Sequence, residues 1–280
     1  MALGVGIGNI IVEHRTGDSA GFSPRDFGDL DIWYDFSKIV DLFGLEDDDD
    51  ISTFPNGGRK AGLFDLSQST DSKKPHVSTD EMQLPSARFN NSAAMQFELP
   101  STYITTQKTF TIFAVLRVDD TSSSVTEALL AGETTGASQV SSYNNRNITL
   151  RFNGAVASGS LNGALIQLID STGQDEYTGS SSESTVQYSY STGDELFVIV
   201  KRADDEVRTF NKNGDLVGLS TAKSNNHSDT NMAVRYMGAF SNGNNAHDGT
   251  IGEIGIYDKD LTDTQAKELC AHLKSKWSIS

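Results

Sequence analysis

Cys270 is the only thiol in this 280-residue chain. One cysteine excludes an intramolecular disulfide framework and any zinc site built from thiolates, so whatever staples the fold is non-covalent. Basic residues are also scarce: 22 Lys and Arg stand against 38 Asp and Glu, a formal charge of −16. Wrapping a phosphate backbone or docking on an anionic membrane requires clustered Lys and Arg, so neither nucleic acid nor membrane is expected as a partner. No run approaches the ~20 apolar residues of a spanning helix. The apolar first twelve residues lack a basic leader and are broken by Gly, a poor signal peptide that sets the expectation of folding in a cytoplasm. Catalytic signatures are missing as well, with no P-loop, no H-E-x-x-H and no G-x-S-x-G elbow. The five histidines, His14, His76, His227, His247 and His272, are dispersed.

What the chain does contain is unevenly distributed. Eleven Asp or Glu lie between Asp18 and Asp50 against Arg25 and Lys38, a local net of −9. The run Glu46 to Asp50 lacks the alternating D-x-[DN]-x-[DN]-G pattern of a calcium loop and reads as a solvated loop of like charges. Residues 1–28 read as an extended N-terminal arm. Its Val5, Ile7, Ile10, Ile11 and Val12, spaced by Gly, have no helical period and too little bulk for a core of their own. Such an arm leans on something else, the body of its own subunit or a neighbouring chain.

From residue 29 to 280 short β-type runs alternate with Gly, Asn, Asp and Ser clusters, the pattern of an all-β antiparallel sandwich or barrel. Phe110 to Val118 is nearly continuous in apolar residues and predicts a strand buried on both faces. Leu196 to Lys201 predicts a second strand, followed by a hairpin in which Asn213-Gly214 supplies positive-φ residues between Val207–Phe210 and Leu216–Val217. Further strands are expected at 87–90, 95–99, 148–152, 164–169, 185–190, 234–239 and 251–257. One helix stands out: Thr262 and Gln265 form a capping box, and Ala266, Leu269, Cys270, Leu273 and Trp277 fall on one stripe. Cys270 on that stripe is a buried, inert thiol rather than a nucleophile.

Four stretches then carry a resemblance: Asp31-Ile32-Trp33-Tyr34-Asp35; Ala87-Arg88-Phe89-Asn90-Asn91-Ser92; the strand Phe110 to Val118; and Asp248-Gly249-Thr250-Ile251-Gly252-Glu253 through Thr262, with its helix closing at Lys276-Trp277. Over residues 29–280 the chain resembles the concanavalin A-like, laminin-G-like jelly-roll superfamily, in the form found in virion proteins of marine and cyanobacterial bacteriophages. The resemblance implies a jelly-roll sandwich with one C-terminal amphipathic helix. It also implies a role in glycan binding, sometimes with calcium, or in larger assemblies; some relatives hydrolyse β-glucans. The paired carboxylates those hydrolases carry on one strand, E-x-D-x-x-E, have no match here, so no catalytic residue is assigned and no enzyme is expected.

Sugar sites combine Asp and Asn with a Gly amide and an aromatic platform. Two loops hold such ingredients: Asn225, Asn226, His227 and Asp229 in one, Asn244, His247 and Asp248 in the other. Tyr143 to Asn147 is a third. The same residue types also fill ordinary surface turns. No cofactor is assigned; calcium would draw on Asp248 with Asp258 or Asp260, and no metal ligand is fixed by the pattern. The function expected is that of a non-enzymatic virion surface protein, of capsid-decoration or fibre type, anchored through its arm and assembled in the host cytoplasm. Its partners would be other capsid or tail proteins and copies of itself. The alternative is an adhesin that binds host or environmental polysaccharide.

Overall fold

A computed structural model describes residues 22–107, 109–119, 126–132, 149–153, 165–169, 192–202, 206–221, 233–239 and 246–280. Among these the chain forms fifteen strands: β1 (Leu30–Asp35), β2 (Thr53–Phe54), β3 (Leu66–Ser67), β4 (His76–Ser78), β5 (Ser86–Phe89), β6 (Phe97–Ile104), β7 (Phe110–Val118), β8 (Thr126–Ala131), β9 (Thr149–Asn153), β10 (Leu165–Ile169), β11 (Gly193–Lys201), β12 (Glu206–Asn211), β13 (Leu216–Thr221), β14 (Ala233–Met237) and β15 (Gly249–Tyr257). Two helices accompany them, α1 (Ile39–Phe43) and α2 (Asp263–Trp277).

The strands make two antiparallel sheets. The first runs β13-β12-β11-β7-β15-β5-β4, with β1 also paired to β15; the second runs β10-β9-β8-β14-β6-β3-β2. This is the expected jelly-roll sandwich with a C-terminal helix. Its centre is β15, which pairs with β7 along one side and, on the other, with β5 at its start and β1 at its end.

The first sheet is covered on both faces, which explains why β7 is almost wholly apolar. Phe110, Ile112, Ala114, Leu116 and Val118 enter the core between the sheets. The alternate residues Phe113 and Val115 join Leu196, Val198 and Val200 of β11 beneath α2. The helix supplies the expected stripe, Ala266, Leu269, Cys270, Leu273 and Trp277, all buried. Burial pushes the Cys270 thiol up to about 12, so it stays protonated and unreactive.

The cap of α2 is as the sequence predicts: the Gln265 N–H donates to Thr262 Oγ1 at 3.2 Å, and Gln265 Oε1 accepts from the Thr262 N–H at 3.0 Å. Thr262→Ala removes an N-cap worth about 1 kcal/mol. The expected outcome is a lower urea midpoint with an unchanged m-value, measured by equilibrium unfolding.

The β12–β13 hairpin forms, with a correction to its turn. Gly214 alone has positive φ, at 74°. Asn211 closes the turn instead: its Oδ1 accepts from the N–H groups of Asn213 at 2.9 Å and Asp215 at 3.0 Å. The predicted strand 185–190 lies outside the described residues. Short β2, β3 and β4 and the bulged β8 were not anticipated, since two to six residues carry too little pattern to register.

Within the stretch 1–28, residues 22–28 are described and are docked on the sandwich. A 3-10 turn, Pro24–Phe27, is capped by Ser23. The Tyr257 hydroxyl donates to the Pro24 carbonyl at 2.7 Å, the Lys259 ammonium donates to the Phe27 carbonyl, and the Arg25 guanidinium lies 5.0 Å from the Trp33 ring centre. Residues 1–21, with Val5, Ile7, Ile10, Ile11 and Val12, lie outside the described residues.

A polar lock ties α2 to the sheet. Glu253 is fully buried on β15 at a register shift after Ile251. Its Oε1 accepts from Trp33 Nε1 at 2.7 Å, while Oε2 accepts from Trp277 Nε1 at 2.9 Å and from Lys276 Nζ at 2.6 Å. Lys276 also pairs with Asp35 at 2.8 Å. Gly252 makes room for the indole, since a Cβ there would stand 2.7 Å from a Trp277 ring carbon. Burial raises the Glu253 carboxyl above its ordinary range, opposed by the Lys276 ammonium.

Candidate functional site

The first sheet has α2 on its outer face; among the described residues the second sheet has no such cover. Strict alternation along a strand sends residues three apart to opposite faces. In β14, Val234 and Met237 nevertheless both enter the inter-sheet core. A bulge between Val234 and Tyr236 reconciles them and turns Arg235 and Tyr236 outward together. The same device operates in β8, where adjacent Leu129 and Leu130 both face the core across a register shift, leaving Ala128 and Ala131 on the outer side.

The Tyr236 ring packs on Ala128 and Ala131 and is half-buried. Two methyl side chains beneath it let the ring lie down on the sheet instead of standing off it. Beside it, Arg235 Nη2 meets Glu98 Oε1 at 2.6 Å. Glu98 stands outward because its neighbours Phe97 and Leu99 are both in the inter-sheet core. The ion pair is partly exposed and contributes at most about 1 kcal/mol to stability; its interest is that it fixes a carboxylate and a guanidinium next to an aromatic surface.

The register carries this row across the sheet. Ser67 lies opposite Glu98, Glu98 opposite Tyr236, and Tyr236 opposite Ala131. An aromatic face flanked by groups that accept from and donate to hydroxyls is chemically suited to a sugar ring, which has apolar C–H faces and a hydroxylated rim.

Glu98, Arg235 and Tyr236 are not among the residues that the sequence pattern points to as a sugar site. The only available signal was Arg235-Tyr236 as a polar pair inside a predicted strand. The loops that were selected fare differently. Asn225, Asn226, His227, Asp229 and Asn244 lie outside the described residues, as does Tyr143 to Asn147. His247 is described and corrected: it is fully buried, its N–H donates to the Gly238 carbonyl at 2.6 Å, and its ring lies 6.1 Å from that of Phe89. A side chain with no exposed surface does not contact a sugar. Asp248 is half-buried at the start of β15, its carbonyl accepting from the Asp119 N–H at 3.4 Å.

The calcium pairing is also corrected. Asp248 and Asp258 flank opposite ends of β15, about 30 Å apart at the rise of an extended strand, and Asp260 lies farther on. Asp258 instead accepts from the N–H groups of Thr106 at 2.7 Å and Gln107 at 3.0 Å, holding the turn before β7. Among the described residues no three His, Cys, Asp or Glu side chains gather to hold a metal. The acidic run is exposed, as expected for a solvated loop. Asp47 accepts from the Thr79 N–H at 2.8 Å and Asp49 from the Glu46 N–H at 2.7 Å, so these carboxylates cap local backbone.

In sequence the chain matches no protein-family model and no curated protein. In structure it is similar to the receptor-binding domain of botulinum neurotoxin type G, with a TM-score of 0.53 and 11% identity over 88% of this chain and 51% of that one. It is similar also to domain 4 of the GH43 extracellular arabinanase AbnA from Geobacillus stearothermophilus, solved in complex with arabinotriose, with a TM-score of 0.52 and 13% identity over 86% of this chain and 98% of that domain. An arabinofuranosidase complexed with arabinofuranosyl-α-1,2-xylobiose gives a TM-score of 0.54 and 12% identity over 79% and 50% of the two chains. The chain thus spans about half of the toxin and arabinofuranosidase chains and nearly all of the arabinanase domain. At these identities the likeness is one of fold.

Proposed function

We propose that this protein is a non-catalytic glycan-binding module whose site is the outer face of the second sheet. The observation that carries the reading is Tyr236, laid on Ala128 and Ala131 beside the Arg235–Glu98 pair. Support also comes from the fold, shared with an arabinanase domain solved with arabinotriose bound. The non-catalytic part rests on the absence of the E-x-D-x-x-E pattern from the sequence and on where the more deeply buried of the two raised carboxyls among the described residues sits; the other, Glu81, is paired with Arg88 at 3.1 Å. A buried acid with a raised pKa is what a glycosidase uses to protonate its leaving group. Glu253 has that character, but with no exposed surface and both oxygens engaged by Trp33, Lys276 and Trp277, no sugar reaches it.

Display on a bacteriophage particle, as a decoration or fibre protein, is the setting suggested by the sequence resemblance. There many copies would convert a weak single-site affinity into firm attachment through avidity. The test is a glycan array probed with the protein coupled multivalently to beads. Binding to a defined set of oligosaccharides, reproduced by the free protein in calorimetry, is the expected result. An array at background throughout overturns the proposal.

A further inference from the structure

The row that crosses the second sheet does not end at Glu98. Thr53 of β2 lies opposite Ser67 of β3, and Ser67 opposite Glu98. Their chain neighbours Phe54 and Leu66 enter the inter-sheet core, so alternation sets Thr53 and Ser67 on the outer face, and both are exposed. Four strands thus present Tyr236, Glu98, Ser67 and Thr53 in one line. Neighbouring strands stand about 4.8 Å apart, which puts Thr53 about 14 Å from Tyr236. A single sugar ring on Tyr236 reaches Glu98, one spacing away. Meeting the Ser67 and Thr53 hydroxyls as well takes further units joined to the first. Each of those hydroxyls donates and accepts, as the hydroxyls of a sugar do.

Charge narrows the ligand further. Arg235 and Glu98 pair at 2.6 Å, with 20% of the arginine side chain exposed against 42% of the glutamate. A ligand on the ring therefore meets the carboxylate first, and the guanidinium is already engaged. At the far end of the row, the exposed acids Glu46 to Asp50 precede β2, the last of them within about 10 Å of Thr53 along the chain. Among the described residues Lys74, 3.8 Å from Asp50, is the one Lys or Arg paired with them. A uronate, sialate or sulfated sugar would bring an anion into a field of its own sign.

We infer, on the basis of the glycan-binding reading of this face, that the site takes a neutral oligosaccharide of at least three units lying across the strands, one unit on Tyr236 and the next ones over Glu98, Ser67 and Thr53. A suitable array carries gluco-, xylo- and galacto-oligosaccharides of one to six units, galacturonate chains beside the galactose chains, and sialyllactose and sulfated lactose beside lactose. In the series that binds, affinity is expected to rise at least tenfold from one unit to three, and neutral chains to exceed their acidic counterparts at least tenfold. Calorimetry with the full-length double variant Thr53→Ala/Ser67→Ala is expected to show at least a threefold loss for the trisaccharide and wild-type affinity for the monosaccharide. Equal affinity for one and three units, acidic chains bound as well as neutral ones, or a double variant that binds the trisaccharide as wild type does overturns this inference and leaves the glycan-binding reading standing. An array at background throughout overturns both.

Discussion

Replacing Lys276 by Met is expected to destabilise the sandwich by about 3–5 kcal/mol at neutral pH, the range seen when one partner of a buried ion pair is removed. For a domain of this size that is a fall in Tm on the order of 10 °C. The variant leaves Glu253 fully buried with two indole N–H groups and no cation within reach. The pH dependence identifies the cause. Glu253 is raised by burial and pulled back down by Lys276, so removing the lysine raises it further. A carboxyl raised on folding favours the native state only below its unfolded pKa, and that contribution is lost as pH rises through the folded value. The deficit of Lys276→Met should therefore shrink as pH is lowered toward 4 and grow toward 7. In Glu253→Gln the titrating group is gone, so its deficit should not grow between pH 4 and pH 7 as that of Lys276→Met does. Equal deficits for Lys276→Met at pH 4 and pH 7, measured by denaturant unfolding, would remove burial of a charged Glu253 as the explanation.

That lock also shows how far the sequence could be read. Asp31 to Asp35, the stretch around Glu253, and Lys276-Trp277 were recognisable as separate landmarks. Their convergence was not legible, because Trp33 and Glu253 are 220 residues apart and no local periodicity encodes a side-chain hydrogen bond between two strands so far apart in the chain. Elements with strong local physics read well: β7 from its unbroken apolar run, α2 from a stripe and a capping box. Asn213-Gly214 located its hairpin, yet the turn is knitted by Asn211, a residue whose role depends on its side-chain acceptor and not on backbone sign.

The binding face escaped for a different reason. Period-two alternation assigns Arg235 and Tyr236 to opposite faces, and only the bulge in β14, which has no glycine or proline to announce it, puts both outside. The Asn- and Asp-rich loops carry residue types that suit hydroxyl recognition but suit ordinary turns equally well. His247 illustrates the cost. It looked like a loop histidine next to Asp248, but the Gly238–His247 hydrogen bond draws it under the sheet end against Phe89.

If the outer face of the second sheet is the glycan site, Tyr236→Ala should weaken binding at least tenfold, about 1.4 kcal/mol, for any oligosaccharide that the wild-type protein binds. Aromatic residues at the centre of a contact surface often cost more than 1 kcal/mol when truncated. Among the described residues this ring is also the only large side chain in its small outer cluster with Ala128 and Ala131. That cluster is separate from the two main cores, so the substitution should leave thermal stability nearly unchanged. Binding and folding are thereby separable in one variant. Tyr236→Phe keeps the ring face and should retain most of the affinity, which distinguishes stacking from a hydrogen bond through the hydroxyl. Glu98→Gln removes the carboxylate that holds Arg235, and should weaken binding less than Tyr236→Ala because the platform remains. Calorimetric titration of the four proteins with one oligosaccharide decides the matter, and an unaltered affinity in Tyr236→Ala would move the site away from this face.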